Sequence, residues 1–137
     1  MSIPLVSIPL TTPALYEHWL HLQWQLRCAL ATTDSGLIDD YLACADELLR
    51  RRACNPVSTR LRTLQTLLRS ASDSALPWRW RRLCLAYAPA AQARIVSLLH
   101  PHDPIALRAV DAAVQRCRGE LQSPVLDKCF PAPHRHA

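Results

Sequence analysis

The stretch Thr12-Pro-Ala-Leu-Tyr-Glu-His-Trp-Leu-His-Leu-Gln-Trp-Gln-Leu-Arg-Cys-Ala29 decides the fold class. Leu15, Trp19, Leu22, Leu26 and Ala29 recur at intervals of three and four, the spacing that lines one face of an α-helix. Pro13 stands at the start of the run. Its missing N–H costs no intrahelical bond there and its fixed φ already suits a helix, while Thr12 before it is a good N-cap. A helix is expected from Pro13 to about residue 32, with Trp24 pointing away from the main stripe.

The same punctuation recurs along the chain. Asn55-Pro56, Leu76-Pro77, Ala88-Pro89 and Asp103-Pro104 each precede an apolar-periodic run. A second helix is expected over about 35–53, capped by Asp34 or Ser35, with Ile38, Tyr41, Ala45 and Leu48 as its seam. The third, from Pro56 to about Ser70, carries Val57, Leu61, Leu64 and Leu68. The fourth is short, Pro77 to Tyr87, with Trp80, Leu83 and Tyr87 on one face, and Ala88-Pro89 should end it because an interior proline removes a hydrogen bond and clashes with the preceding turn. A fifth follows through Ala91, Ile95, Leu98 and Leu99. The sixth, Pro104 to about Leu121, aligns Leu107, Val110, Val114, Cys117 and Leu121.

Nothing alternates with the period of two that a strand requires. The expected fold is therefore all-α: a compact antiparallel bundle of about six short helices over residues 12–121, with an extended N-terminal arm (1–11) and a C-terminal tail (122–137). An α-solenoid ranks second, because the helix starts show no constant period. The arm repeats Ser2-Ile-Pro-Leu5 as Ser7-Ile-Pro-Leu10. Pro4 and Pro9 keep it extended, and its aliphatic side chains are expected to lie along the bundle or in a partner's groove.

A chain of 137 residues suffices for one domain with a real core. No run reaches the roughly 18–20 apolar residues of a membrane span. The start has no basic segment, and prolines interrupt its apolar stretch, so the mature chain is expected to begin at Met1. Six cysteines are present; Cys44, Cys84 and Cys117 fall on or beside apolar helix faces, which suits buried free thiols in a reducing, cytoplasmic setting. The net charge of +5 rests almost wholly on arginine, since Lys128 is the only lysine. Coding-sequence composition accounts for that skew as readily as a demand for the planar guanidinium.

Catalysis is not expected. No glycine-rich phosphate loop is present, and neither Glu17 beside His18 nor Asp39 beside Asp40 faces a nucleophile. His18 and His21 have a spacing two imidazoles can use for one metal, yet no CxxC pair completes a site; His100-Pro-His102 reads as a loop and His134 and His136 as a tail. The expectation is no metal, no cofactor and no small-molecule substrate.

Two binding surfaces remain. Tyr16, Leu20 and Trp24 give the first helix more apolar surface than one face can bury, and Leu5, Leu10 and Trp78 add to it. This pattern points to a non-catalytic protein that binds another protein, as adaptor, chaperone, inhibitor or accessory subunit, or that self-associates. The alternative is nucleic acid, gripped by the Trp78-Arg-Trp-Arg-Arg82 patch. Trp78, Arg79, Arg81 and Arg82 would combine stacking with phosphate contacts, with Arg50, Arg51, Arg52, Arg60 and Arg62 extending the basic surface.

Overall fold

A computed structural model describes residues 10–30, 36–99 and 103–121. Those residues form an all-α bundle of five helices: α1 (Thr12–Arg27), α2 (Gly36–Arg50), α3 (Pro56–Ser72), α4 (Trp78–Leu99) and α5 (Pro104–Leu121). Residues 1–9 of the arm, Leu5 among them, the Asp34 or Ser35 cap, His100-Pro-His102 and the tail lie outside the described residues.

The prolines punctuate helix starts, with two corrections. Thr11, not Thr12, caps α1: its Oγ1 accepts the Ala14 N–H at 3.3 Å and its carbonyl accepts Leu15 N–H at 2.9 Å, which places Pro13 one position further in. Asn55 and Asp103 cap α3 and α5 as expected, accepting from Ser58 N–H (3.0 Å) and Ala106 N–H (2.9 Å). Pro77 precedes α4, and its carbonyl accepts the Arg81 N–H at 3.0 Å. The second correction is larger. Ala88-Pro89 does not end a helix, and the expected fourth and fifth helices are one, α4. Trp80, Cys84, Ala88, Ala91, Ile95 and Leu99 continue one buried stripe through the proline, while Pro89 itself lies on the exposed side. Burial of that stripe outweighs an interior proline's cost of about 3 kcal/mol.

Both α1 and α2 end in a left-handed turn without glycine. Ala29 has φ 54° and Arg52 φ 55°. At the first, Leu30 N–H reaches the Gln25 carbonyl (3.1 Å) and Ala29 N–H that of Leu26 (3.2 Å); at the second, Ala53 N–H reaches Leu48 (3.0 Å) and Arg52 N–H reaches Leu49 (3.0 Å). This paired bonding is the Schellman motif.

The seams expected for α1 and α2 are buried throughout, with Ile38, Tyr41, Ala45, Leu48 and Leu26 fully enclosed. On α3 only Leu64 of the expected seam is buried; Val57, Leu61 and Leu68 pack at its margin. The centre is instead Thr59, Thr63, Thr66, Leu67, Ser70 and Ala71. Thr63 and Thr66 return their hydroxyls to the carbonyls of Arg60 (2.8 Å) and Arg62 (2.9 Å), which lets small polar side chains occupy a helix–helix interface. The close approach this permits suits α3 to its role: with α4 it forms the most extensive helix pair, while α1 packs on α2 and α5 on α4 and α3.

Charged side chains tie the helices from outside. Asp46 Oδ1 on α2 accepts from Arg60 Nη1 on α3 at 2.6 Å and from Arg94 Nη1 on α4 at 3.3 Å. Leu98, expected in the core, is exposed instead, and with Val96 and Ile105 it marks the corner between α4 and α5.

Candidate functional site

The inner face of α1 is anchored by an aromatic and polar knot. Trp19 stacks on Tyr41 with ring centroids 5.7 Å apart and planes 8° from parallel, and the Arg62 guanidinium carbon stands 5.3 Å from the Trp19 ring centre. The Tyr41 hydroxyl lies 3.0 Å from Gln23 Oε1, which also accepts Arg62 Nε–H at 3.0 Å, and 3.1 Å from Thr66 Oγ1. Burial pushes the Tyr41 phenol up to about 12, against a smaller opposing effect from the Thr66 bond. Helices α1, α2 and α3 are thus fixed to one another at a single level.

That inner commitment leaves the outer face of α1 bare. Tyr16, Leu20 and Trp24 follow one another at i, i+4 and i+8, a stripe about 12 Å long. Tyr16 and Trp24 are exposed, Trp24 to 57%, and Leu30 beyond the helix end to 59%. Leu20 is half-buried. The His21 ring stacks on the exposed indole at 6.0 Å, so the imidazole extends the flat surface. Leu10 packs against the core at the head of α1, its carbonyl accepting from Arg51 Nη1 at 2.7 Å. Trp78 is placed elsewhere. It is half-buried and walls a groove between α4 and α5 with Arg82, Leu85, Pro89, Arg118 and Leu121.

The arginines proposed for nucleic acid are dispersed by the fold into separate tasks. Arg81 is 3% exposed. Its Nε donates to the Ala71 carbonyl at 2.8 Å, and its guanidinium carbon lies 5.4 Å from the Trp78 ring centre, so it is a core strut between α3 and α4. Arg50 and Arg51 pair with Glu47 at 2.7 and 2.9 Å, Arg60 with Asp46, and Arg62 with Gln23 and Trp19. Arg52, Arg79 and Arg82 are exposed and meet no carboxylate among the described residues. The sequence spacing of Trp78, Arg81 and Arg82 suggested one surface; the helix instead turns Arg81 inward.

Among the described residues no group of three or more His, Cys, Asp or Glu side chains is arranged to hold a metal, and no helix is long and apolar enough to cross a membrane. Sequence reasoning missed a cleft beside the knot, where Tyr16 and Trp19 from α1 meet Cys54, Asn55, Ser58, Thr59 and Arg62 from the start of α3. Its two walls lie some forty positions apart in sequence, so no local pattern announced it. Compared with protein-family models, curated proteins and solved structures, the chain finds no match.

Proposed function

We propose that the chain is a non-catalytic binding protein whose outer α1 face docks on an apolar surface of another protein. The exposure of Trp24, in line with Tyr16 and Leu20 on a helix whose opposite face is locked into the core, is the observation that carries this reading. A rigid helix that presents a tryptophan to solvent fits the anchor role that aromatic side chains play at interfaces, because little conformational freedom is left to lose on docking. Occlusion, stabilisation or recruitment of the partner follows from such a contact without any chemistry. The free, buried thiols of Cys44, Cys84 and Cys117 suit a reducing compartment such as the cytoplasm, where we place this activity.

The engagement of Arg50, Arg51, Arg60, Arg62 and Arg81 within the fold favours this reading over nucleic acid. Affinity capture with the full chain should retain one protein stoichiometrically, and Trp24→Ala should weaken that complex at least thirtyfold, an anchor's share of about 2 kcal/mol, without changing Tm. Retention that is indifferent to Trp24→Ala sinks the proposal. So does a complex with single-stranded or duplex nucleic acid whose affinity falls steeply between 50 and 200 mM salt, the signature of released counterions.

A further inference from the structure

The cleft between the start of α1 and the start of α3 has a volume of about 530 Å³, within the range of small-molecule sites. Its chemistry is one-sided. Tyr16 supplies exposed aromatic surface beside the enclosed Trp19, and no carboxylate lines the cleft among the described residues. The polar side chains around it include the hydroxyls of Ser58 and Thr59 and the guanidinium of Arg62. Arg62 commits Nε to Gln23 at 3.0 Å, while its two terminal nitrogens have no partner among the described residues. That outer edge is the pair of donors that matches the two oxygens of a carboxylate.

A second, independent feature points the same way. Trp19 is 2% exposed and its Nε1 is the buried side-chain nitrogen or oxygen left without a hydrogen-bond partner among the described residues. Proteins rarely leave such a donor alone, and this enclosed nitrogen belongs to a residue of the cleft wall. The positive end of α3 adds to the bias. Asn55 occupies the Ser58 N–H, so the contribution there is the helix dipole and the Ser58 hydroxyl rather than a nest of free amides.

We propose that this cleft binds a small planar carboxylic acid. Its aromatic or conjugated body lies against Tyr16, and its carboxylate is received by the Arg62 terminal nitrogens with the Ser58 and Thr59 hydroxyls. This site goes beyond the docking face; it shares Tyr16 with that face, but Trp24 and Leu30 are not among its walls.

The test uses the full chain labelled with ¹⁵N, in which the four indole N–H signals are assigned by single Trp→Phe variants. Benzoate and naphthalene-2-carboxylate are the probes, with naphthalene-2-carboxamide as the uncharged counterpart. The expected result is a saturable shift of the Trp19 indole signal with naphthalene-2-carboxylate, at least tenfold weaker binding of the carboxamide, and at least tenfold weaker binding of the acid to Arg62→Gln. Ser58→Ala and Thr59→Val, which leave the Arg62–Trp19 contact in place, should each weaken binding several-fold and decide the matter if Arg62→Gln perturbs the fold. Absence of a saturable Trp19 shift with both acids overturns the proposal, as does equal binding of acid and amide. A Trp19 signal that responds only after residues 1–9 are removed also overturns it, because the cleft then belongs to the chain's own arm.

Discussion

Trp80 donates its indole N–H to the main-chain carbonyl of Leu26, 3.0 Å away. The same carbonyl accepts the Ala29 N–H in the turn that ends α1, so one oxygen joins the start of α4 to the end of α1. The other buried indole, that of Trp19, donates to nothing. The two tryptophans are both almost wholly enclosed, yet substitution should separate them. Trp80→Phe removes a bond as well as volume and should cost about 2–3 kcal/mol; the Leu26 carbonyl keeps Ala29, which holds the cost to that range. Trp19→Phe removes no bond and retains a ring against Tyr41, so about 1 kcal/mol is expected. Urea unfolding of both variants measures the difference, and a Trp19→Phe loss equal to that of Trp80→Phe would mean Trp19 Nε1 has a partner.

Arg81 should behave as a core residue. Its Nε bond to the Ala71 carbonyl is buried, and a lysine ammonium cannot reproduce that donor while covering the Trp78 ring with a flat face. Arg81→Ala and Arg81→Lys are each expected to lower stability by about 2–4 kcal/mol, whereas Arg79→Ala and Arg82→Ala, at exposed positions, should change it by less than about 0.5 kcal/mol. Thermal unfolding of the four variants checks this. Nucleic-acid binding, if sought with substitutions in this patch, has to be judged on Arg79 and Arg82, since loss of Arg81 weakens the fold itself.

How much of this was legible beforehand depends on the type of signal. The Leu15–Trp19–Leu22–Leu26 and Ile38–Tyr41–Ala45–Leu48 seams were readable because aliphatic and aromatic periodicity reports burial directly. Thr59, Thr63, Thr66 and Ser70 were not, because a buried hydroxyl bonded to its own helix looks like surface in a hydrophobicity pattern. Pro89 misled for a different reason: its local cost is real, but the stripe from Trp80 to Leu99 is long enough to override it. The exposed Trp24 was visible as the residue opposite a complete seam. The cleft needed the packing of α1 on α3, and the inward turn of Arg81 needed the register of α4 against Ala71.

The left-handed ends of α1 and α2 offer a gain in stability. Only two glycines occur in the chain, and neither occupies the positions at φ 54° and 55°, where Ala29 and Arg52 sit. A residue with a Cβ is strained there by roughly 1 kcal/mol, which glycine avoids. Arg52 is exposed, so Arg52→Gly loses little packing and should raise stability by about 0.5–1 kcal/mol. Ala29 is buried, and Ala29→Gly gives up a methyl group, so a smaller gain of about 0–0.5 kcal/mol is expected. Chemical denaturation of the two single variants and the double variant reads both effects, which should add because the sites end different helices. A loss of stability in Arg52→Gly would show that the turn is not left-handed in solution.

Alkaline pH should unfold the chain sooner than its net charge suggests. Burial raises Cys44 from 9.0 to about 11 and Cys84 from 9.0 to about 12, and raises Tyr41 from 10.0 to about 12. Above pH 9 the unfolded chain releases these protons while the folded chain keeps them. The unfolded state then binds fewer protons, so stability falls as pH rises, and the fall continues until the folded-state values near 11–12 are passed. Each group contributes at most about 1.4 kcal/mol per pH unit within its own window. Urea unfolding at pH 7, 9 and 10.5 should therefore show little change over the first interval and a marked loss over the second. Cys84→Ala should flatten the second interval relative to the parent at that residue's share, even though it lowers stability at pH 7. A thiol reagent with peptide mapping gives an independent reading at neutral pH: exposed Cys28 should react at once, and Cys44, Cys84 and Cys117 only as fast as the chain opens. Equal stability from pH 7 to 10.5 together with rapid labelling of Cys84 would mean that α4 does not bury this thiol, and the packing of α4 against its neighbours would have to be redrawn.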